Sequence, residues 1–125
     1  SSAASDVYKR QILRSFLADI PYHLSGNKPE IYFENNLYII FKMLGFRAST
    51  EYTTSAGRID ILVKTGDFVY IMELKLDGTP HQALDQIMDK GYYLPFLGSG
   101  KKIVCIGINF SKKARNIDRW IISTM

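Results

Sequence analysis

The spacing of apolar residues along the chain is helical at first and then becomes that of strands. Residues 12–20 carry apolar side chains three or four positions apart and end at Pro21, which predicts a helix. Residues 22–28 contain Ser-Gly-Asn and predict a loop. Residues 29–44 repeat the helical spacing, begin with a proline and precede Gly45, so they predict a second helix.

Beyond the second helix, apolar residues alternate with polar ones or form unbroken runs, as they do in strands. A third helix is predicted from Thr79, a capping residue followed by proline, to about residue 92. The run at 102–109 is apolar almost throughout, which is typical of an interior strand covered on both faces. The predicted strands are residues 46–53, 58–65, 68–76 and 102–109, with an edge strand at 117–122 around Trp120.

The element order α-α-β-β-β-α-β, with the edge strand last, predicts an α/β fold in which helices flank a mixed sheet of four to five strands. The length of 125 residues suits one domain. We assign the low-complexity residues 1–11 to a flank and residues 12–125 to a single domain.

Composition narrows the class of protein. No apolar run is long enough to cross a bilayer, and no charged-then-apolar leader opens the sequence, so no membrane segment is expected. The single cysteine, Cys105, lies in an apolar run. It excludes an internal disulfide, and it favours a small buried side chain in a reducing, cytoplasmic setting.

The net charge of +4 is concentrated at one end of the chain. Residues 101–125 contain six Lys and Arg against one acid, Asp118, whereas the first hundred residues contain ten basic and eleven acidic ones. Such a patch suits a polyanion such as nucleic acid, although a solvated basic surface has the same pattern.

Three polar residues interrupt the apolar strands: Asp60 in the second strand, and Glu73 and Lys75 in the third. Residues two apart on a strand share a face, so Glu73 and Lys75 point the same way. Between the strands, the Gly-Asp dipeptide at 66–67 suits a two-residue hairpin turn. A turn there sets a register in which Asp60 lies directly opposite Glu73.

Two carboxylates that face each other inside an apolar sheet repel each other and are costly to desolvate. A divalent cation removes both problems, because hard cations bind carboxylate oxygens. The alternative is a buried salt-bridge cluster in which Lys75 neutralises part of the charge of Asp60 and Glu73.

The pattern resembles the motif of the PD-(D/E)XK nuclease superfamily, in which Asp precedes Glu-x-Lys across a short hairpin; Ile59 stands where the name has Pro. Within that superfamily, the chain is similar to the nuclease-like domain at the C-terminus of bacterial AAA-ATPase-like proteins. The resemblance runs from about residue 16 to 122 and implies a restriction-endonuclease-like core. It rests on segments 57–60, 73–75, 83–87 and 106–110.

The resemblance implies a role for each matching residue. Asp60 and Glu73 would bind Mg²⁺ or Mn²⁺ together with the main-chain carbonyl of Leu74. Lys75 would orient or deprotonate the attacking water and stabilise charge on the phosphate. Gln86, in the helix after the motif, would lie near the metal or the substrate backbone; a helix-surface amide is the alternative.

Many members of the superfamily add a glutamate from the first core helix, for which Glu30 and Glu34 are both candidates. We favour Glu34 as a further metal ligand because it lies eleven residues before Gly45, the spacing of resolvase-like relatives. A solvated position is the alternative for either glutamate.

Six basic or aromatic residues are candidates for contact with nucleic acid. Arg58 could bind a phosphate or pair with Glu51 or Glu73. For Lys90 and Tyr92, a surface or packing role is the alternative. The six candidates are Arg58, Lys90, Tyr92, Lys112, Lys113 and Arg115.

These features predict a metal-dependent nuclease that hydrolyses phosphodiester bonds, of DNA in preference to RNA. No zinc-ligand spacing, phosphate-cradling loop or serine-nucleophile motif supports another chemistry. The alternative is a non-catalytic module of the same fold that binds nucleic acid or protein, within a larger protein that carries an ATPase-like domain.

Overall fold

The computed structural model describes residues 11–19 and 29–125. Within them, helices and strands follow one another in the predicted order. The first helix, α1, covers residues 11–18. The later elements are α2 (Pro29–Met43), β1 (Arg47–Thr54), β2 (Gly57–Lys64), β3 (Phe68–Leu76), α3 (Pro80–Lys90), a single 3₁₀ turn (Leu94–Phe96), β4 (Lys102–Ser111) and β5 (Asn116–Thr124). In this part of the chain no helix is long and apolar enough to cross a membrane.

The observed boundaries differ from the predicted ones by one or two residues. The third helix ends at Lys90, before the predicted end, because Gly91 takes the left-handed conformation (φ 65°) that closes helices. Residue 11, assigned to the flank from the sequence, is helical. The rest of the predicted flank, the helix end at Pro21 and the loop at 22–28 lie outside the described residues.

The five strands form one mixed sheet in the order β1-β2-β3-β4-β5. The pairs β1–β2, β2–β3 and β4–β5 are antiparallel, and α3 connects β3 to the parallel β4. As predicted, β4 is an interior strand, and its residues 103–110 are buried. The predicted α/β class and restriction-endonuclease-like core are therefore confirmed.

Helices cover both faces of the sheet. On one side, which we call the α2 face, Phe33 of α2 stacks on Phe110 of β4 with ring centroids 4.3 Å apart. On the other, the α3 face, Ile87 of α3 is fully buried in an apolar cluster with Ile71 and Cys105. Burial raises the pKa of the Cys105 thiol to about 11, so this side chain is a buried hydrophobe, as predicted.

α3 is held close to the sheet by its cap and by a glycine on β4. Thr79 Oγ1 accepts a hydrogen bond from the main-chain N–H of Gln82 (3.1 Å), and Gln82 Oε1 accepts one from the main-chain N–H of Thr79 (3.0 Å). At Gly107, α3 lies so close that an added Cβ would collide with the main-chain oxygen of Pro80. This close approach brings Gln86, six residues after Pro80 on α3, over β3.

Candidate active site

The strands β2 and β3 are paired over only half of their length. Four rungs next to the hairpin turn follow the predicted register, and the last joins Ile61 to Met72. The next pair in this register is Asp60 and Glu73, but no rung forms there, although both strands continue. The sheet therefore opens at the two carboxylates.

Near Asp60, the side chains of β1 and β2 switch from one face of the sheet to the other. Residues an even number apart on a regular strand share a face. Ala48 nevertheless packs on the α2 face and Tyr52 on the α3 face, and Ile61 and Ile59 differ in the same way. Within this irregularity, Glu51 has a left-handed backbone (φ 51°), which is uncommon for a residue with a side chain. Side chains from both faces can therefore meet here.

Asp60 and Glu73 converge at this opening. The carboxylate of Asp60 accepts a hydrogen bond from the main-chain N–H of Leu74 (2.9 Å). Burial, followed by the nearby charge of Asp60, raises the pKa of Glu73 to about 8, and burial also raises the pKa of Asp60. Glu73 is only 4% exposed, and its Oε2 has no hydrogen-bond partner. The pair is therefore buried, mutually repulsive and incompletely satisfied.

Two further carboxylates reach Asp60 from neighbouring elements. Glu34 comes from α2 and Glu51 from β1, and one oxygen of each lies within 4.8 Å of the others and of an Asp60 oxygen. Burial, followed by the charges of Asp60 and Glu51, raises the pKa of Glu34 to about 8. Glu34 is 7% exposed, whereas Glu30 is exposed. Of the two candidate glutamates on the helix, the structure brings Glu34 to the site.

Sequence reasoning missed Glu51, which it considered only as a partner of Arg58. The signal was available in the β1–β2 hairpin, where Thr54 pairs with Gly57 and Glu51 falls opposite Asp60 in the same register. Arg58 does pair with Glu51, at 3.7 Å from Nε to Oε2, and both side chains are substantially exposed. Glu51 thus links an exposed arginine to the buried acids.

Lys75 and Gln86 approach the carboxylates from the α3 face. Lys75 Nζ donates a hydrogen bond to Gln86 Oε1 (2.7 Å), and Gln86 Nε2 donates one to Glu73 Oε1 (2.8 Å). The Gln86 amide is therefore turned into the site, and the surface-amide alternative does not describe it.

The salt-bridge alternative does not describe the arrangement either. The ion pairs Arg58–Glu51 and Arg119–Asp118 both involve arginines outside β3. Lys75 lowers the pKa of Glu73 through its charge, but its hydrogen bond goes to the amide of Gln86 and not to a carboxylate. The acids are therefore left without a direct cationic partner on β3.

Comparison with known proteins identifies the family of the chain. The sequence profile of the PD-(D/E)XK nuclease superfamily matches residues 28–120. The chain belongs to this superfamily. It is also similar to an uncharacterised protein in the 5′ region of vnfD from Azotobacter chroococcum mcd 1, with 33% identity over 120 residues. That match covers 91% of this chain but only 23% of the relative, so the chain spans less than a quarter of the relative's length.

In this PD-(D/E)XK protein, the residues predicted to contact nucleic acid lie in different surroundings. Lys90 is exposed at the end of α3, and Lys112, Lys113 and Arg115 are exposed in the turn between β4 and β5. Tyr92 is 3% exposed, so its side chain is packed inside the protein.

The donor atoms of the PD-(D/E)XK site fit a hard divalent cation. Every candidate ligand side chain is a carboxylate, the group that Mg²⁺ and Mn²⁺ prefer. A buried carboxylate oxygen without a donor, such as Glu73 Oε2, is costly, and a cation would provide the missing partner. A cation would also favour the charged forms of Glu34 and Glu73, whose pKa values are raised by burial and by neighbouring acids.

Proposed function

We propose that this domain hydrolyses phosphodiester bonds of nucleic acid, DNA more readily than RNA, with Mg²⁺ or Mn²⁺ as cofactor. The observation that carries the proposal is the unpartnered Oε2 of buried Glu73, next to the oxygen cluster of Glu34, Glu51 and Asp60. An arrangement of this kind costs stability unless it binds a cation.

The metal ligands in this proposal are Asp60 and Glu73, joined by Glu34 and by the main-chain carbonyl of Leu74. Glu51 is an additional ligand that we add because its oxygen belongs to the same cluster. When bound, the cation would supply Lewis acidity and lower the pKa of a bound water. Asp60 is common to both groups of acids, and we therefore assign it the central role.

Lys75 acts on the attacking water and on the phosphate. Its ammonium group is held by Gln86 Oε1, so it is directed along the α3 face beside Glu73. In this position it orients the water, or accepts its proton when deprotonated, and it stabilises negative charge on the phosphate. Gln86 serves the same step by holding the two charged groups apart.

The exposed basic residues of the last quarter of the chain form the nucleic-acid contact in this proposal. The main-chain N–H of Lys112 donates to Asp77 Oδ1 (3.0 Å), and Asp77 directly follows β3. The turn that carries Lys112, Lys113 and Arg115 therefore contacts the chain at the end of β3, two residues after Lys75. Phosphate contacts by this turn, together with Lys90 and Arg58, would place the scissile bond at the acids.

A second candidate is a binding module of the same fold. It is favoured by the basic turn, which needs no catalysis to bind a polyanion, and by the relative whose length exceeds this chain about fourfold. In such a longer protein, the domain would dock onto an ATPase-like part and work in the cytoplasm.

A plasmid-cleavage assay with Mg²⁺, with Mn²⁺ and with a chelator tests the proposal. Wild-type protein should cut in either metal and stop in chelator, and Glu73→Gln should remain inactive throughout. The matched control is Asp67→Asn, an exposed acid at the hairpin end of the same strands, which should cut like wild type. Unaltered plasmid in both metals, with DNA still bound, would identify the domain as a binding module.

A further inference from the structure

The position of the Lys75 ammonium group depends on a second flexible side chain, that of Gln86. The ammonium group donates a hydrogen bond to Gln86 Oε1, so the position of that group depends on where the Gln86 amide is held. A glutamine side chain has several freely rotating bonds, and fixing it has an entropic cost. Glu73 Oε1 holds one side of the amide through Nε2. Glu73, however, is also the carboxylate that the proposed function assigns to the metal, so the same side chain would serve both the amide and the cation.

Tyr92 provides a second, more rigid anchor for that amide. Its hydroxyl oxygen lies 3.4 Å from Gln86 Nε2 and accepts a long hydrogen bond from it. The ring is 3% exposed in the α3-face cluster, and its main-chain N–H donates to Ile87 O (3.2 Å) at the end of α3. The tyrosine is therefore fixed by packing and by the helix end, independently of the carboxylates.

The space for this hydroxyl is provided by Gly57 on β2. A Cβ at Gly57 would stand 3.2 Å from the Tyr92 hydroxyl oxygen, closer than side chains normally approach, and its φ of 139° is one that residues with side chains rarely adopt. Gly57 precedes Asp60 by three residues. The hydroxyl is therefore enclosed between the strand that carries Asp60 and the helix that carries Gln86.

We propose that Tyr92 is a positioning residue for Lys75: its buried hydroxyl fixes the Gln86 amide, whose oxygen faces the lysine and whose nitrogen faces Glu73. The reversed amide would put its N–H groups against the ammonium and its oxygen against the carboxylate, so only the observed orientation is favourable. The Tyr92 hydroxyl adds a third contact, which keeps the amide between the two charged groups. The expected effect of Tyr92 on cleavage rests on the proposed nuclease function, whereas its expected effect on the order of the Gln86 amide does not. The positioning role replaces the direct contact of Tyr92 with nucleic acid predicted from the sequence.

The kinetic test is Tyr92→Phe, which removes the hydroxyl and keeps the ring. Loss of a hydrogen-bond partner of a metal ligand typically lowers metal affinity or activity by about 10–100-fold, and Tyr92 reaches the proposed ligand Glu73 through Gln86. We expect a fall of that size in kcat with little change in KM for DNA or in Mn²⁺ affinity. Tyr93→Phe, in a neighbouring ring that packs on the same cluster, is the matched control and should match wild type.

A double-mutant cycle separates positioning from a general packing effect. If Tyr92 acts through Gln86, then Tyr92→Phe in a Gln86→Ala background should cause no further loss of kcat. Full additivity of the two losses, or a Tyr92→Phe protein that cleaves like wild type, would overturn the proposal.

A measurement without catalysis keeps this inference distinct from the nuclease function. In wild-type protein, NMR should find the Gln86 side-chain amide ordered, with an order parameter S² of about 0.85, the value of rigid backbone; in Tyr92→Phe, S² should fall below about 0.6. A mobile Gln86 amide in wild type, or one unchanged in Tyr92→Phe, would refute the positioning role even if DNA is cleaved. Conversely, absence of cleavage with an ordered, Tyr92-dependent amide would refute the nuclease function and leave the positioning intact.

Discussion

The two halves of the β2–β3 pair contrast within a single hairpin. Next to the turn, four regular rungs join residues that are mostly apolar and buried, Leu62 and Ile71 among them. Beyond Ile61, the rungs stop, and the positions that continue the pattern hold Asp60 and Glu73. The apolar half packs as an ordinary core, whereas the acidic half is approached by polar side chains from α2, α3 and β1. The packed core and the proposed chemistry therefore lie at different ends of the same strands.

The two halves of the hairpin contribute to the free energy of folding with opposite signs. In the apolar half, each buried side chain contributes roughly 1.5–3 kcal/mol relative to an exposed one. In the acidic half, burial and like charges raise the pKa of Glu34 and of Glu73, so their ionised forms oppose folding. The packed half and the helices therefore stabilise an arrangement that would not persist by itself.

The largest expected effect separates the lysines of the two halves. Lys75→Ala should reduce the cleavage rate by about 10²–10⁴, because it removes an acid–base and electrostatic contribution, while metal binding stays largely intact. The matched control is Lys64→Ala, in the apolar half, where Nζ lies 5.6 Å from the ring centroid of Tyr52. Single-turnover rates and Mn²⁺ titrations of both variants make the comparison. Equal rates for Lys75→Ala and Lys64→Ala would contradict a catalytic lysine.

The second prediction uses two residues on the same face of β3. Ile71→Ala removes a fully buried side chain and should cost about 2–5 kcal/mol of unfolding free energy. Glu73→Gln, two residues further on, should raise the stability of the metal-free protein, because it removes a carboxyl group whose ionisation is opposed by burial and by Asp60. Urea unfolding in chelator measures both. A loss of stability in Glu73→Gln would mean that the acidic half is an ordinary stabilising cluster.

Sequence reasoning succeeded where the pattern is periodic and local. The Gly-Asp turn at 66–67 determines the β2–β3 register, and the helical spacing around Phe33 and Leu37 determines the buried side of α2. These are short-range consequences of period and turn geometry. The same register also predicts that Asp60 lies opposite Glu73.

What the sequence did not reveal depends on departures from those periods. The β1–β2 register alone places Glu51 opposite Asp60, but the left-handed backbone of Glu51 in the middle of a strand is something that no local pattern indicates. The burial of Tyr92 depends on the close approach of α3 to the sheet, and this approach depends on Gly107, far along the chain. Long-range packing of this kind cannot be derived from spacing alone.

The third prediction concerns the cation. Mg²⁺ at a hundred times its Kd should stabilise the folded protein by about 2.7 kcal/mol through mass action. Asp60→Asn should abolish most of this gain, since Asp60 belongs to both groups of acids; an amide oxygen can still accept from Leu74. Thermal melting with and without metal measures the gain, and Asp67→Asn, at the turn end of the hairpin, should retain it. An identical wild-type melting curve at millimolar Mg²⁺ would argue against a metal site.

The fourth prediction concerns pH in the metal-free protein. The pKa of Glu34 and of Glu73 rises from 4.5 to about 8 on folding, so the folded state binds more protons than the unfolded state between these values. Stability should therefore be highest near the lower value and fall as the pH rises towards the upper one. Glu34→Gln should make the unfolding free energy depend less steeply on pH, and saturating Mg²⁺ should do the same in wild type. Chemical denaturation in chelator across this range measures it, and stability that rises with pH would contradict the assignment.

The smallest effect tests whether nucleic acid meets the acidic end of the sheet or the other end. The first double variant, Lys112→Gln with Lys113→Gln, removes two charges from the turn after β4, near the acids. The second, Lys101→Gln with Lys102→Gln, removes two charges at the start of β4. There the main-chain N–H of Lys102 donates to the hairpin residue Asp67. Each phosphate that the protein no longer neutralises reduces the steepness of log K against log salt by about 0.9. We expect the first pair to flatten the salt dependence of DNA affinity and to leave kcat unchanged, and the second pair to do neither. Because both double variants remove the same charge, a difference between them cannot come from net charge. If instead the two double variants reduce the salt dependence of DNA affinity equally, the basic residues attract DNA only through their summed charge. The acidic end of β2 and β3 is then not where the duplex binds.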